Sequence, residues 1–188
     1  MKKIKILGIV GSFRKESFNK QLALEVKKLL EDSVEFTLLD FQDVPFFNQD
    51  LEANAPDAVK RVRSEVKNAD ALWIFTPEYN QFFPGVLNNL IDWLSRPASK
   101  SEKQVLSGKI VTISGMSPGM CGTMLAQHHL ISLLNYLNMK VMSNPKVAIP
   151  SAMNMIKDGK VDFKMSSGFI LNQINSFIDF IEKNNKNI

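Results

Sequence analysis

IKILGIVGSFRKESFNKQLALEV, residues Ile4–Val26, decides how the rest of the chain is read. Ile4, Ile6, Leu7, Ile9 and Val10 form a short, nearly continuous apolar run, the pattern of a strand buried on both faces. Gly11 ends it, and after the loop Ser12–Ser17 a helical spacing sets in at Leu22, Ala23, Val26, Leu29 and Leu30. A strand that enters a helix through a Gly/Ser/Arg loop is suited to an anion. The free N–H groups of the first helical turn point outward, and the helix dipole favours negative charge there. Ser12, Ser17 and Asn19 offer neutral donors, and Arg14 a planar cationic fork that matches phosphate. Neither G-x-x-x-x-G-K-[ST] nor G-x-G-x-x-G is present, so the loop fits a terminal monophosphate rather than a nucleoside triphosphate or a dinucleotide pyrophosphate. The same residues also suit an ordinary βα turn capped by Ser17 or Asn19. The loop alone leaves both readings open.

The chain has 188 residues, enough for one domain over residues 1–188 with a large core. No apolar run reaches the roughly 18–20 residues of a membrane span. MKKIKILGIV has a basic start, but its apolar run is too short for a secretory signal and no A-x-A-like site follows; it reads as the first strand. A single cysteine, Cys121, excludes an intramolecular disulfide and fits a reducing, cytoplasmic compartment. The net charge of +4 comes from scattered lysines with no arginine block, which argues against nucleic-acid binding. A mild positive field instead recruits small anions such as nicotinamide cofactors.

Further along, Val34–Leu39 reads as a second strand, and Asp40–Asp57, rich in Pro, Asn, Asp and aromatics, as a long loop. Pro56 suits the first turn of a helix running to Asn68, with Val59, Val62 and Val66 inward. Ala71–Thr76 is the third strand. A helix follows from Pro84-Gly85 to Arg96-Pro97, then a polar connector Ala98–Ser107 and a fourth strand Lys109–Ser114. A helix Thr123–Leu137, strand segments Val141–Met142 and Val147–Ile149, and a closing helix Phe169–Lys183 complete the chain. Strands alternating with helices specify an α/β, doubly wound, five-stranded parallel sheet with helices on both faces. Ligands in such sheets sit beyond the carboxyl ends of the strands, where the strand order reverses.

Three unusual loops follow strands one, three and four, and so share one sheet edge. The first carries the phosphate donors. The second, Pro77-Glu78-Tyr79-Asn80-Gln81-Phe82-Phe83-Pro84, supplies an aromatic ring and polar groups between stiffening prolines. The third, Gly115-Met116-Ser117-Pro118-Gly119-Met120-Cys121-Gly122, supplies glycines that let backbone approach a flat ligand. A molecule with a phosphate at one end and a polar-edged aromatic ring at the other satisfies all three, and FMN has that shape. Main-chain N–H groups around Glu78–Asn80 are placed to bond the polar edge of the ring.

GSFRKESFN (Gly11–Asn19), TPEYNQFFPGVLNNLIDWLSRP (Thr76–Pro97), GMSPGMCGTMLAQHHL (Gly115–Leu130) and NPKVAIP (Asn144–Pro150) resemble the NADPH-dependent FMN reductase family, over essentially the whole chain. This family is flavodoxin-like, with strand order 2-1-3-4-5, and includes quinone, azo-dye and chromate reductases. The resemblance implies that Ser12, Arg14, Ser17 and Asn19, with Phe18 beside them, bind the FMN phosphate. It implies that Pro77, Glu78, Tyr79 and Asn80 border the ring, and that Gly115, Ser117 and Gly119 flank it from the other side. It also implies NADPH or NADH as co-substrate, a small-molecule electron acceptor, and a homodimer or homotetramer joined through helices matching Pro84–Ser95 and Thr123–Leu137. Cys121-Gly122 stands where family members often carry Gly-Gly, which narrows the mouth above the ring.

Several residues carry a plainer reading. His128 and His129 are adjacent in a helix, point to different faces and cannot chelate one metal. Cys121 lacks a His/Asp or CxxC partner. Met116, Met120 and Met124 are gap-filling residues that also suit a permissive acceptor pocket. Glu78 reads as a solvated loop carboxylate rather than a proton relay, and Trp93 and Leu94 as part of a subunit face. With hydride chemistry on N5 of the flavin, no side chain is assigned a catalytic role and no metal is expected. The expected activity is a ping-pong NAD(P)H oxidoreductase acting on quinone or azo acceptors. The rivals are an electron carrier, to which the basic charge is ill suited because flavodoxins are acidic, a flavin-binding sensor, and a reductase that releases reduced FMN.

Overall fold

Alternate residues of the apolar strands point to opposite faces, and each face finds its own helices. In the computed structural model, which describes residues 3–97 and 102–185, β1 (Ile4–Val10), β2 (Val34–Leu38), β3 (Ala71–Phe75), β4 (Ile110–Met116) and β5 (Lys140–Ile149) form one sheet. The order is β2-β1-β3-β4-β5 and every pairing is parallel, so the expected topology is present. Ile6, Phe36, Trp73 and Phe75 face α1 (Phe18–Leu29) and α5 (Ser167–Asn184). Leu7, Ile9, Leu72, Ile74, Val111 and Ile113 face α2 (Asp57–Asn68), α3 (Gly85–Leu94) and α4 (Met124–Tyr136). Among the described residues no helix is long and apolar enough to cross a membrane.

Differences from the sequence reading sit at element ends. β4 runs through Met116, two residues into the expected glycine loop, because Gly115 and Met116 stay paired with Ala148 and Ile149. The two segments expected at Val141–Ile149 are one strand, whose register shifts between Thr112 and Ser114 as it passes the cis Asn144–Pro145 bond. A 3₁₀ turn, Gln49–Asn54, interrupts the expected long loop. A hairpin of β6 (Ile156–Lys157) and β7 (Lys160–Val161) turns on Asp158-Gly159, both at positive φ, a pair that favours such turns. Of the connector expected at Ala98–Ser107, residues 98–101 lie outside the described residues.

Trp93 and Leu94 are buried in the fold itself, not exposed on a subunit face. The Trp93 indole donates to the Pro45 carbonyl at 2.9 Å and its ring meets Phe47 edge-on, so this tryptophan pins the loop after β2 onto α3.

Under α5 a polar chain crosses the core. Trp73 Nε1 donates to Ser114 Oγ (2.7 Å), which donates to Gln173 Oε1 (2.5 Å). Gln173 Nε2 donates in turn to the carbonyls of Ile113 and Pro145, each at 3.0 Å. Replacing Gln173 by Leu leaves a buried hydroxyl and two carbonyls without their partner. We expect a loss of about 2–4 kcal/mol, read in a thermal melt as a fall of roughly 5–15 °C; a melt within a degree of the parent contradicts the network's role.

Candidate functional site

Beyond the carboxyl ends of β1, β3 and β4 the three loops enclose a cleft of about 100 Å³, a space for a phosphate-sized group rather than a whole tricyclic ring. Its walls are Ser12, Arg14, Ser17, Phe18 and Asn19 from the first loop, Pro77–Tyr79 from the second, and Met116–Pro118 from the third. The convergence expected from the loop positions is present.

On the first wall Ser17 is the N-cap of α1, accepting from the N–H of Lys20 at 3.2 Å, which leaves its own hydroxyl proton to donate. The Ser12 hydroxyl accepts from the Arg14 N–H at 3.4 Å and is likewise free to donate. The N–H groups of Phe18 and Asn19, at the start of α1, are first-turn donors without an intrahelical acceptor. The Arg14 guanidinium lies over the Phe18 ring, 5.1 Å from its centroid, and stays exposed to the cleft. Two hydroxyls, a guanidinium and a helix N-terminus beside one small space are a donor set suited to an anion.

Asn19 plays another part. Its side chain is 2 % exposed, with Nδ2 donating to the Met116 carbonyl and Oδ1 accepting from the Met116 N–H, both at 3.0 Å. The amide joins α1 to the end of β4 and so positions the cleft that this residue also lines.

The second wall is held from outside. Glu78, expected as a solvated loop carboxylate, is half-buried and accepts through one oxygen from the N–H groups of Leu125 and Ala126, both at 3.0 Å. Thr123, the N-cap of α4, makes no side-chain capping bond, and Glu78 caps that helix across 47 residues instead. Tyr79 and Phe82 exchange main-chain bonds of 2.9 and 3.0 Å around Asn80 and Gln81, both in left-handed backbone (φ 52° and 63°). The Tyr79 N–H is therefore occupied, and those of Glu78 and Asn80 remain for a ring edge. Left-handed Gln81 is a strained choice, and such strain concentrates at ligand sites.

The third wall is pinned at several points. Ser117 donates its hydroxyl to the Gly122 carbonyl at 2.5 Å, and its main chain bonds Ile149 and Ala152. Gly115 lies inside β4, where a Cβ would meet Thr123 and the Thr76 carbonyl at 2.3 Å, so packing requires its bareness. At Gly119 a Cβ would meet only the Ser117 hydroxyl, at an ordinary 3.7 Å, and the next residue, Met120, is 89 % exposed. Cys121 is exposed. The His129 ring packs at a tilt of 40° against Phe82, with centroids 4.6 Å apart. Among the described residues no group of three or more His, Cys, Asp and Glu side chains is placed to hold a metal ion.

The anchoring role of Asn19 is checked on cofactor-free protein. Asn19→Ala should cost about 2–4 kcal/mol, since two buried main-chain groups lose their partner. Arg14→Ala, an exposed change, should stay within about 0.5 kcal/mol of the parent. Equal melting points for the two variants contradict the assignment.

The chain is 40% identical over 146 residues to a 2-hydroxy-1,4-benzoquinone reductase of Burkholderia sp, covering 78% of each protein. It is 35% identical over 178 residues to a quinone reductase of Pseudomonas putida, covering 94% of each. The solved structure of the flavoenzyme NAD(P)H:(acceptor) oxidoreductase FerB from Paracoccus denitrificans superposes with a TM-score of 0.85 at 36% identity, over 96% of this chain and 98% of that one. Residues 4–154 match the NADPH-dependent FMN reductase family, and with the flavodoxin-like sheet and its three-loop cleft the chain belongs to that family.

Proposed function

We propose that the cleft holds FMN by its phosphate and that the chain, an NAD(P)H-dependent flavin oxidoreductase acting on quinones, works by a ping-pong scheme in which co-substrate and acceptor use one place in turn. The observation that carries this reading is the anion site of Ser12, Arg14, Ser17 and the α1 N-terminus, opposite the Pro77–Tyr79 wall. When bound, FMN supplies the hydride relay between NAD(P)H and the acceptor. The chain's residues bind and orient it. Arg14 and the two hydroxyls grip the phosphate, and Pro77–Asn80 with Gly119 flank the ring, where the N–H groups of Glu78 and Asn80 meet its polar edge. In this reading Glu78 serves as a helix cap rather than a proton carrier, since its Oε2 accepts from two N–H groups of α4.

The open rim of Tyr79, Phe82 and Met120 suits flat acceptors in general, azo compounds as well as quinones. The same rim continues into the exposed side of α4, where Met124, Leu125 and Tyr136 present apolar surface to solvent. A patch of this kind favours a partner, and in this reading it is a second copy of the chain, forming a homodimer or homotetramer that closes the mouth against water. Residues 1–188 act as one domain, and the lone exposed Cys121 suits a reducing, cytoplasmic setting.

Purified protein should be yellow, and anaerobic NADPH should bleach its flavin bands. Initial rates with a quinone should give parallel double-reciprocal lines. A yellow protein that neither NADPH nor NADH bleaches contradicts the enzyme reading in favour of a carrier or sensor, and intersecting lines contradict the ping-pong scheme. Arg14→Ala should weaken FMN binding at least about tenfold, as loss of a charged phosphate contact implies; unchanged FMN content overturns the phosphate assignment.

A further inference from the structure

A second and larger cleft, about 500 Å³, lies on the other side of the loop after β1. The β1–α1 loop forms one wall, and Leu38–Gln42, where the chain leaves β2, forms the other. Ser12 and Arg14 line both clefts, so the two are neighbours across a single loop. Of its lining, the proposed FMN site uses Ser12 and Arg14 and leaves the other residues free.

Its chemistry is specific. The apolar lining comes from Val10, Leu38, Leu39 and the Phe13–Phe41 pair, whose centroids are 4.9 Å apart. Phe41 is buried, whereas Phe13 is 43 % exposed and leaves ring surface open to the cleft. Lys15 and Lys20 stand exposed around it, and among the described residues neither they nor Arg14 is held in an ion pair. Asp40, at the far wall, accepts from the Gln42 N–H through Oδ1 at 3.3 Å. Arg61 bonds the Asp40 carbonyl and turns its charge to Asp43 and Glu65, so among the described residues the Asp40 carboxylate keeps its second oxygen for another donor. An open aromatic face, two unpaired ammonium groups and a carboxylate oxygen with no donor suit a ligand with a flat ring, a pyrophosphate and neighbouring hydroxyls.

We propose that this cleft binds the adenosine diphosphate half of the nicotinamide co-substrate. The purine lies on Phe13, Lys15 and Lys20 hold the pyrophosphate, and Asp40 accepts from the ribose hydroxyls. The shared wall lets one extended dinucleotide reach from here past the first cleft towards the ring on the Pro77–Asn80 side. The inference rests on the reading that NAD(P)H is the hydride donor, and it adds where the donor's non-reacting half is held. Binding energy from that half orients the reacting half.

ADP-ribose, which has this half but no nicotinamide, is the probe. Titrated calorimetrically into FMN-loaded protein, it should bind, and the Lys15→Ala/Lys20→Ala double variant should bind it about tenfold more weakly, the loss of a pyrophosphate clamp on an exposed site. In turnover, ADP-ribose should inhibit competitively against NADH, and the double variant should raise the KM for NADH by a similar factor with the KM for the quinone and the FMN content unchanged. Absence of ADP-ribose binding, or equal affinity in parent and variant, overturns the site. Inhibition that is not competitive with NADH overturns its assignment to the co-substrate and leaves a free nucleotide as the occupant. The titration repeated on FMN-free protein separates this inference from the flavin reading: binding there that depends on the two lysines supports the nucleotide cleft even in a protein that takes no FMN, and ADP-ribose that displaces FMN from the first cleft contradicts it.

Discussion

The two hydrogen bonds between the Asn19 amide and the main chain of Met116 join the first turn of α1 to the last residue of β4, 97 positions later in the chain. One wall of the cleft hangs from each side of that joint, Ser12–Ser17 on one and Met116–Pro118 on the other. Both amide atoms are engaged and the residue is buried, so the joint allows neither sliding nor rotation. The remaining wall is fixed by the same kind of bond, a side chain satisfying distant main-chain groups: Glu78 on α4. The width of the cleft is thus set by hydrogen bonds that are complete in the protein alone, and a ligand meets donors already in place. Preorganisation of that kind reduces the ordering cost of binding.

This arrangement divides the labour between rigid and open parts. The cleft lies between the start of α1 and the pinned loop after β4, whereas Tyr79 and Phe82 of the loop after β3 and Met120 of the loop after β4 are exposed to solvent. An enzyme whose redox chemistry resides in its cofactor needs the first to be firm and allows the second to be permissive. Acceptors that share only flatness then meet the same rim. The strained Asn80-Gln81 turn sits where the firm part gives way to the open one.

Much of this was legible in the sequence, for a physical reason. Strands buried on both faces are written as apolar runs, and Ala71–Phe75 or Ile4–Val10 admit little else. The Ser/Arg loop before an amphipathic helix left an anion site and a plain capped turn both open, because capping and phosphate recognition draw on the same residues; what the fold adds is that the loop lines a cleft with two others. What the sequence hid were interactions between distant positions. Asn19 looked like a loop donor, and only the approach of β4 reveals its partner. Glu78 looked solvated because α4's first N–H groups lie 47 residues away. Gly115 looked like a ligand contact, and the constraint the fold adds is packing against Thr123, ahead of α4, and the Thr76 carbonyl. Trp93 and Leu94 looked like a subunit face because the loop that covers Trp93 has no regular pattern of its own. One missed feature did carry a signal: Asp158-Gly159 between short β-capable pairs spells a tight hairpin.

The affinity of cofactor-free protein for FMN relative to riboflavin tests most directly whether the cleft is built around a phosphate. The two ligands share ring and ribityl chain and differ only in that group. A site made of a guanidinium, two hydroxyls and a helix N-terminus should favour FMN by at least about a hundredfold, since charge-assisted contacts are worth about 1.5–3 kcal/mol each. Equal affinities would mean that the ring alone drives binding and that the loop after β1 is an ordinary turn.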